Sequence, residues 1–241
     1  KRSVRGGSWK EDTENAACAF RSGLESFKTE NTLGFRLVCR QQGKPFTGSY
    51  NKDTGTGQVG SVKFTMKKID AVTNGTIGHD DQDAIPNKPH TVTLSQYYLG
   101  ETEVTQELYQ AVMGNNPSFH QGSGNQPAAG EVQAKRPVEQ MSWYDAIAFC
   151  NALTQKTGLG DEACVYWVDG HVYNADDAGA KKEPEGRWSN KGFRLPTEAE
   201  WEWAALTGTN GRARTTEALL QTMRGTPTIA ATKRTKREKR M

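Results

Sequence analysis

The chain has 241 residues, a formal net charge of +3 and a hydrophobic share of 34%, which is length enough for a core but too little apolar residue for helix or strand throughout. No run of 18 apolar residues occurs, so no segment reads as a membrane-spanning helix. Residues 212–241 hold nine Lys or Arg and two Glu while the rest holds 22 basic and 26 acidic residues, and this basic end lacks the aromatic residues that base stacking needs, so a nucleic-acid role is set aside.

The chain opens on Lys1 without the apolar core of a signal peptide, which reads as the start of a fragment or processed product. Residues 1–40 read as a compact unit: "VRGGSW" is a strand entering a glycine turn, "AACAFRSG" a short mixed segment, and "TLGFRLVC" an apolar strand reached through Gly34. Residues 41–59 are rich in Gly, Thr, Asp and Lys without periodicity and read as a linker.

From residue 60 the elements become regular. Val62, Phe64 and Met66 alternate against Lys63, Thr65 and Lys67, the signature of a half-buried strand, and Val92 and Leu94 repeat it after a polar loop. Val104, Leu108, Ala111 and Val112 have helical spacing, with Thr102 or Thr105 as cap and Gly114 as stop. "PVEQM", 137–141, is strand-like. A second helix capped by Ser142 turns Ala146, Ile147, Phe149 and Cys150 inward and ends at Gly158 or Gly160. "CVYWVDGHVYN" is a small hairpin turning at Asp169 and Gly170.

The segment "GFRLPTEAEWEWAAL", 192–206, enters a turn at Pro196 and a helix in which Thr197 and Glu200 form a capping box. Glu198 lies in the first turn, where its charge suits the amide end, and Trp201, Ala204 and Ala205 share a buried side. A second "GFRL" stands at 34–37. The pattern as a whole is that of an α+β domain of small elements.

Four cysteines stand singly, Cys18, Cys39, Cys150 and Cys164, with no CxxC pair. His79, His90, His120 and His171 have no ligand-like spacing, and Asp80, Asp81 and Asp83 read as solvated loop carboxylates. No metal is assigned to any of them.

Three blocks, "YYLGETEVTQELYQAVMGNNPS", "RPVEQMSWYDAIAFCNALT" and "GFRLPTEAEWEWAA", resemble in that order successive motifs of the formylglycine-generating enzyme family, the sulfatase-modifying factor domains. The resemblance covers about residues 60–206 and implies a C-type-lectin-like fold with little regular secondary structure. "VRGGSW", Cys18, Arg21 and "GFRLVC" resemble the family's closing block, which normally lies downstream, so the motif order is inverted. The domain is therefore expected to be incomplete or circularly permuted, with a tandem-copy junction favoured because the glycine-rich linker lies between the two parts. The expected organisation is a closing-block segment at 1–40, a linker at 41–59, the main part at 60–206 and a basic tail at 207–241.

The resemblance also implies chemistry: family enzymes oxidise a substrate cysteine to formylglycine with two active-site cysteines, copper and oxygen. At the matching place Lys10 and Glu11 follow Trp9 directly, and Cys18 matches a structural cysteine. Without the thiolate pair that copper(I) requires, the expected role is a noncatalytic ligand-binding or structural domain. Copper would enter only under the alternative of a copper-dependent oxidoreductase, and the family's calcium site has no counterpart here. Some relatives are variable ligand-binding proteins of bacterial surfaces or periplasm, with the varied residues in the closing block. This implies an extracytoplasmic place, a protein or surface ligand as partner, and Trp9, Lys10, Glu11, Asp12, Glu14, Asn15 and Phe20 as the display surface. Cys18, Arg21, Cys39, Cys150, Arg194, Glu198 and Trp201 are expected to be structural, and a Cys39–Cys150 disulfide is conceivable by the same resemblance.

Overall fold

The computed structural model describes residues 1–5, 21–40, 49–51, 53–78 and 88–207. In chain order the strands are β1 (Arg2–Arg5), β2 (Arg21–Leu24), β3 (Val38–Cys39), β4 (Tyr50–Asn51), β5 (Thr56–Val59), β6 (Val62–Ile69), β7 (Val72–Ile77), β8 (His90–Leu94) and β9 (Tyr97–Gly100). Helix α1 (Gln106–Met113) and helix α2 (Trp143–Lys156) follow, then β10 (Tyr166–Val168), β11 (His171–Val172), α3 (Ala175–Gly179), β12 (Glu185–Gly186), β13 (Phe193–Arg194) and α4 (Glu198–Thr207).

A six-stranded antiparallel sheet in the order β13-β3-β9-β6-β5-β4 forms the centre. Its first strand in sequence, β3, lies between β9 and β13, so the N-terminal arm is part of the sheet. The two "GFRL" copies meet here: Phe193 pairs with Cys39 and Arg194 with Val38, which directly follow Leu37. Each copy sends its phenylalanine into the core, Phe35 edge-on to Phe149 at 5.4 Å and Phe193 edge-on to Tyr50 at 5.2 Å, geometry that adds to the area buried.

Each glycine of these copies marks a close approach. A Cβ on Gly34 would stand 2.5 Å from Glu103 Oε1, and one on Gly192 would stand 2.5 Å from the Ala163 carbonyl oxygen.

Helices α1, α2 and α4 form where the sequence places them; α3 was not anticipated. Thr105 caps α1 by accepting from the Leu108 N–H, and Gly114 stops it in the left-handed region at φ 84°. Ser142 and Asp145 make a reciprocal capping box on α2. Inside α2, Ile147, Phe149, Cys150 and Leu153 are wholly buried, and the Phe149 ring stacks on Tyr109 of α1 at 5.2 Å. The β10–β11 hairpin turns at Asp169 and Gly170, both at positive φ, as a two-residue turn of this hand requires.

Three expectations need correction. Residues 50–51 and 56–59 of the expected linker form β4 and β5, where glycine serves packing: a Cβ on Gly57 would stand 2.2 Å from the Phe64 ring. "PVEQM" is not a strand. Pro137 makes one isolated bridge to Thr105, Gln140 adopts φ 61°, and Glu139 turns inward to accept from the N–H groups of Phe119 and His120 at 3.1 and 2.8 Å. Cys39, Cys150 and Cys164 are free and buried, so the Cys39–Cys150 disulfide is not formed. The Cys39 sulfur instead lies 3.5 Å from the Tyr50 hydroxyl.

Candidate binding site on the N-terminal hairpin

β1 and β2 pair antiparallel in the register Arg2 with Leu24 through Arg5 with Arg21. The described pairing ends at Arg5 and Arg21. Trp9, Lys10, Glu11, Asp12, Glu14, Asn15, Phe20 and Cys18 all lie between these two in sequence, outside the described residues. Arg21 begins β2.

A two-stranded ribbon is marginal alone, and three carboxylates, two on α4 and one in the loop before β12, fasten this one. Glu198 accepts from the Ser3 hydroxyl and Glu202 from Arg5 Nη2, while the other Glu202 oxygen accepts from the Gly78 N–H at 2.8 Å. These two glutamates are four apart on α4 and therefore face the same way. At the outer end, Glu183 accepts from Arg2 Nη2 at 3.0 Å and from the Tyr144 hydroxyl at 2.6 Å. The Arg2 guanidinium also lies over the Trp143 ring, 3.8 Å from its centroid.

The middle glutamate of α4 faces inward. Glu200 is held by Arg194 through Nη1 at 2.7 Å and Nη2 at 2.6 Å, by the Thr197 N–H at 2.9 Å, and by Arg40 at 3.5 Å. Burial works to raise the Glu200 pKa, but hydrogen bonds from Arg194 outweigh it and hold the carboxyl below its usual value. Burial works to lower Arg194, and Glu200 reverses that to a raised value. Arg40 follows β3, so this cluster joins α4, β13 and the N-terminal arm.

The three glutamates thus have three separate partners, and the two tryptophans two different settings. Trp201 lies near Arg5, 5.9 Å from ring centroid to Cζ, while Trp203 packs where a Cβ on Gly75 would collide with it at 2.6 Å. Of the residues expected to be structural, Glu198 accepts from Ser3, Trp201 lies beside Arg5, and Arg194 is the partner of the buried Glu200. The reading of the sequence named Arg194 and placed Glu200 in the capping box, but missed that the two pair in the interior and missed Glu202 with its partner Arg5. The available signal was Glu at 198, 200 and 202 following an arginine in the preceding strand.

Between the arm and the body lies a cleft of about 300 Å³. The arm contributes Arg2 through Arg5 and residues of 24–36; the body contributes the starts of α2 and α4.

The described thiols are poorly placed for copper. Burial pushes Cys39 up to about 11 and Cys164 up to about 12, and raises Cys150 as well, which disfavours the thiolates that bind metal. Among the described residues no three His, Cys, Asp or Glu side chains group as a metal site. His120 contacts Glu139 at 3.3 Å, and His171 contacts Asp177 at 2.9 Å, where Lys182 also reaches the carboxylate at 3.2 Å.

Residues 57–234 match the family described as the sulfatase-modifying factor enzyme 1-like domain. The chain belongs to this family. The matched span extends beyond residue 206, past the three blocks that carried the resemblance. Among curated relatives, the chaperone protein LppX of Paenibacillus barcinonensis is 40% identical over 124 residues, 48% of this chain and 38% of that one. Among solved structures, Treponema denticola variable protein 1 is 52% identical with a TM-score of 0.53, covering 63% of this chain and 55% of that chain. The chain therefore spans about two fifths to just over half of the length of these relatives. No described helix is long and apolar enough to cross a membrane.

Proposed function

We propose that this chain is a noncatalytic binding domain that presents residues 6–20 from an anchored ribbon, with Trp9, Lys10, Glu11, Asp12, Glu14, Asn15 and Phe20 as the contact residues for a protein or surface ligand. The observation that carries the reading is the fastening of β1 to α4 through Glu198 and Glu202, with β2 paired to β1 along its length. Ordered supports of this kind reduce the entropic cost of binding by the segment they carry. The likeness to a protein titled a variable protein supports the same reading. A C-type-lectin-like architecture and an extracytoplasmic location belong to the proposal, from the family resemblance.

The arm is part of this domain. Pairing of β3 with β9 and β13 within one chain supports a permuted motif order over a tandem junction.

Copper-dependent oxidation of a cysteine is the reading set aside. It needs two accessible thiolates in proximity, whereas Cys39, Cys150 and Cys164 are buried free thiols and Cys18 is the sole cysteine of residues 6–20.

The test is capture on a combined glycan and peptide array, with Trp9→Ala/Phe20→Ala in parallel. Binding that this double variant abolishes at unchanged Tm is the expected result. Binding that it leaves intact, or conversion of a cysteine peptide to formylglycine by the copper-loaded chain, refutes the reading.

A further inference from the structure

The cleft between arm and body has a mixed character. Its floor is apolar, with Leu33, Phe35, Met141, Leu195 and the rings of Trp143 and Trp201. Its charged lining carries four cations, Arg2, Arg5, Lys28 and Arg36, against two carboxylates, Glu25 and Glu198. A concave site of this size, mostly apolar with a few convergent polar groups, is what small-ligand sites share.

The cations are not equivalent. Arg5 is bound to Glu202, and Arg36 donates to the carbonyl oxygens of Gly100 and Glu101 at 3.0 Å each. Lys28 makes no ion pair among the described residues and is exposed beside the cleft. Arg2 keeps its Nη2 on Glu183, but its Nε–H is buried without an acceptor among the described residues. A buried donor left unmade is unfavourable, and an anion that the guanidinium turns to meet removes that penalty. Glu25 and Glu198 on the same lining repel a second negative charge, so that lining suits a monoanion over a phosphate dianion.

We propose that this cleft binds a small aryl-alkyl monocarboxylate, its ring on the apolar floor among Leu33, Phe35 and Met141 and its carboxylate between Lys28 and Arg2. Because arm and body each supply one side, occupancy ties the two together and stabilises the docked arm in proportion to ligand concentration. Occupancy of the cleft is independent of whether residues 6–20 hold a partner, so either can fail alone.

The probes are 3-phenylpropionate and its neutral amide, titrated against the full chain while the indole N–H signals of Trp143 and Trp201 are followed by NMR. Assignment comes from Trp143→Phe and Trp201→Phe. The acid is expected to shift both signals saturably, and the amide to bind about tenfold more weakly, as loss of a charge-assisted hydrogen bond implies. Lys28→Ala, at an exposed position that folding does not depend on, should weaken the acid about tenfold and leave the amide unchanged. Leu33→Trp, which fills the cleft, should abolish both responses at retained Tm. No saturable shift up to about 10 mM acid overturns the proposal. So does equal affinity for acid and amide, or an acid preference that survives Lys28→Ala combined with Arg2→Gln.

Discussion

Arg194 and Glu200 form a two-pronged ion pair inside the protein, their side chains only 4% and 2% exposed. Arg194 comes from β13 and Glu200 from α4, six residues later, and the Thr197 N–H and Arg40 occupy further positions on the same carboxylate. Breaking such a pair from one side leaves an uncompensated buried charge, which costs about 3–5 kcal/mol. Arg194→Ala is therefore expected to lower Tm by about 10 °C in a domain of this size. The joint change Arg194→Met/Glu200→Leu should lower it much less, because neither charge is then left alone. Thermal unfolding of the three chains measures this, and equal losses in single and double variants would contradict it.

The same pair sets an acid limit. The folded-state pKa of Glu200 is depressed, so its contribution to stability is present above the unfolded value of about 4.3 and is lost as pH falls through the folded value. Glu103 has the opposite sign: burial raises its pKa against the attraction of Arg36, so its contribution lies below the unfolded value and disappears as pH rises through the folded one. Tm should fall as pH drops from about 5 to about 3. Glu200→Gln, already less stable at neutral pH, should show a shallower slope over that interval. An unchanged slope would remove Glu200 as the titrating group.

The two "GFRL" glycines should differ in their tolerance of a methyl group. In Gly34→Ala the nearest atom is a side-chain carboxylate oxygen, Glu103 Oε1, which can withdraw. In Gly192→Ala it is the backbone carbonyl of Ala163, which also accepts the Gly192 N–H at 2.8 Å. Overpacking costs about 1–3 kcal/mol, and Gly192→Ala should lie at the upper end with Gly34→Ala clearly below it. Denaturant unfolding of both variants checks the order.

Cys39, Cys150 and Cys164 should resist alkylation in the native chain at pH 8, since each is buried and its pKa is raised by burial. Iodoacetamide labelling followed by peptide mass mapping should find all three unmodified until guanidinium is added. A Cys39–Cys150 disulfide in the mapped peptides would contradict the structure.

Much of the fold was legible because local signals agreed with the final packing. Thr105, Ser142 and Thr197 each cap the helix that their spacing announces, and the β10–β11 turn sits on its Asp-Gly pair. Long-range pairing was not legible. Nothing in "VC" at 38–39 says that it will lie between strands 60 and 150 residues away, and the two-residue β3 has no periodicity to read. Glycines misled the reading of residues 50–59, because a glycine beneath an aromatic ring looks the same in sequence as one in a linker. The inward turn of Glu200 was hidden for the reason that hides most buried acids: its partner Arg194 lies on a separate element, and burial is a property of the assembled sheet and helix.

Amide hydrogen exchange at Val38 and Cys39 tests most directly whether the N-terminal arm and the rest of the chain make one domain. If β3 is part of the sheet, the amides that β3 pairs through should be protected to a degree comparable with those of Leu99 and Tyr98 on β9, and Glu202→Ala should speed exchange across β1 and β2 first. Exchange at Val38 and Cys39 as fast as in an unfolded peptide, with β9 still protected, would contradict a single domain and with it the anchored ribbon on which the proposed binding by residues 6–20 depends.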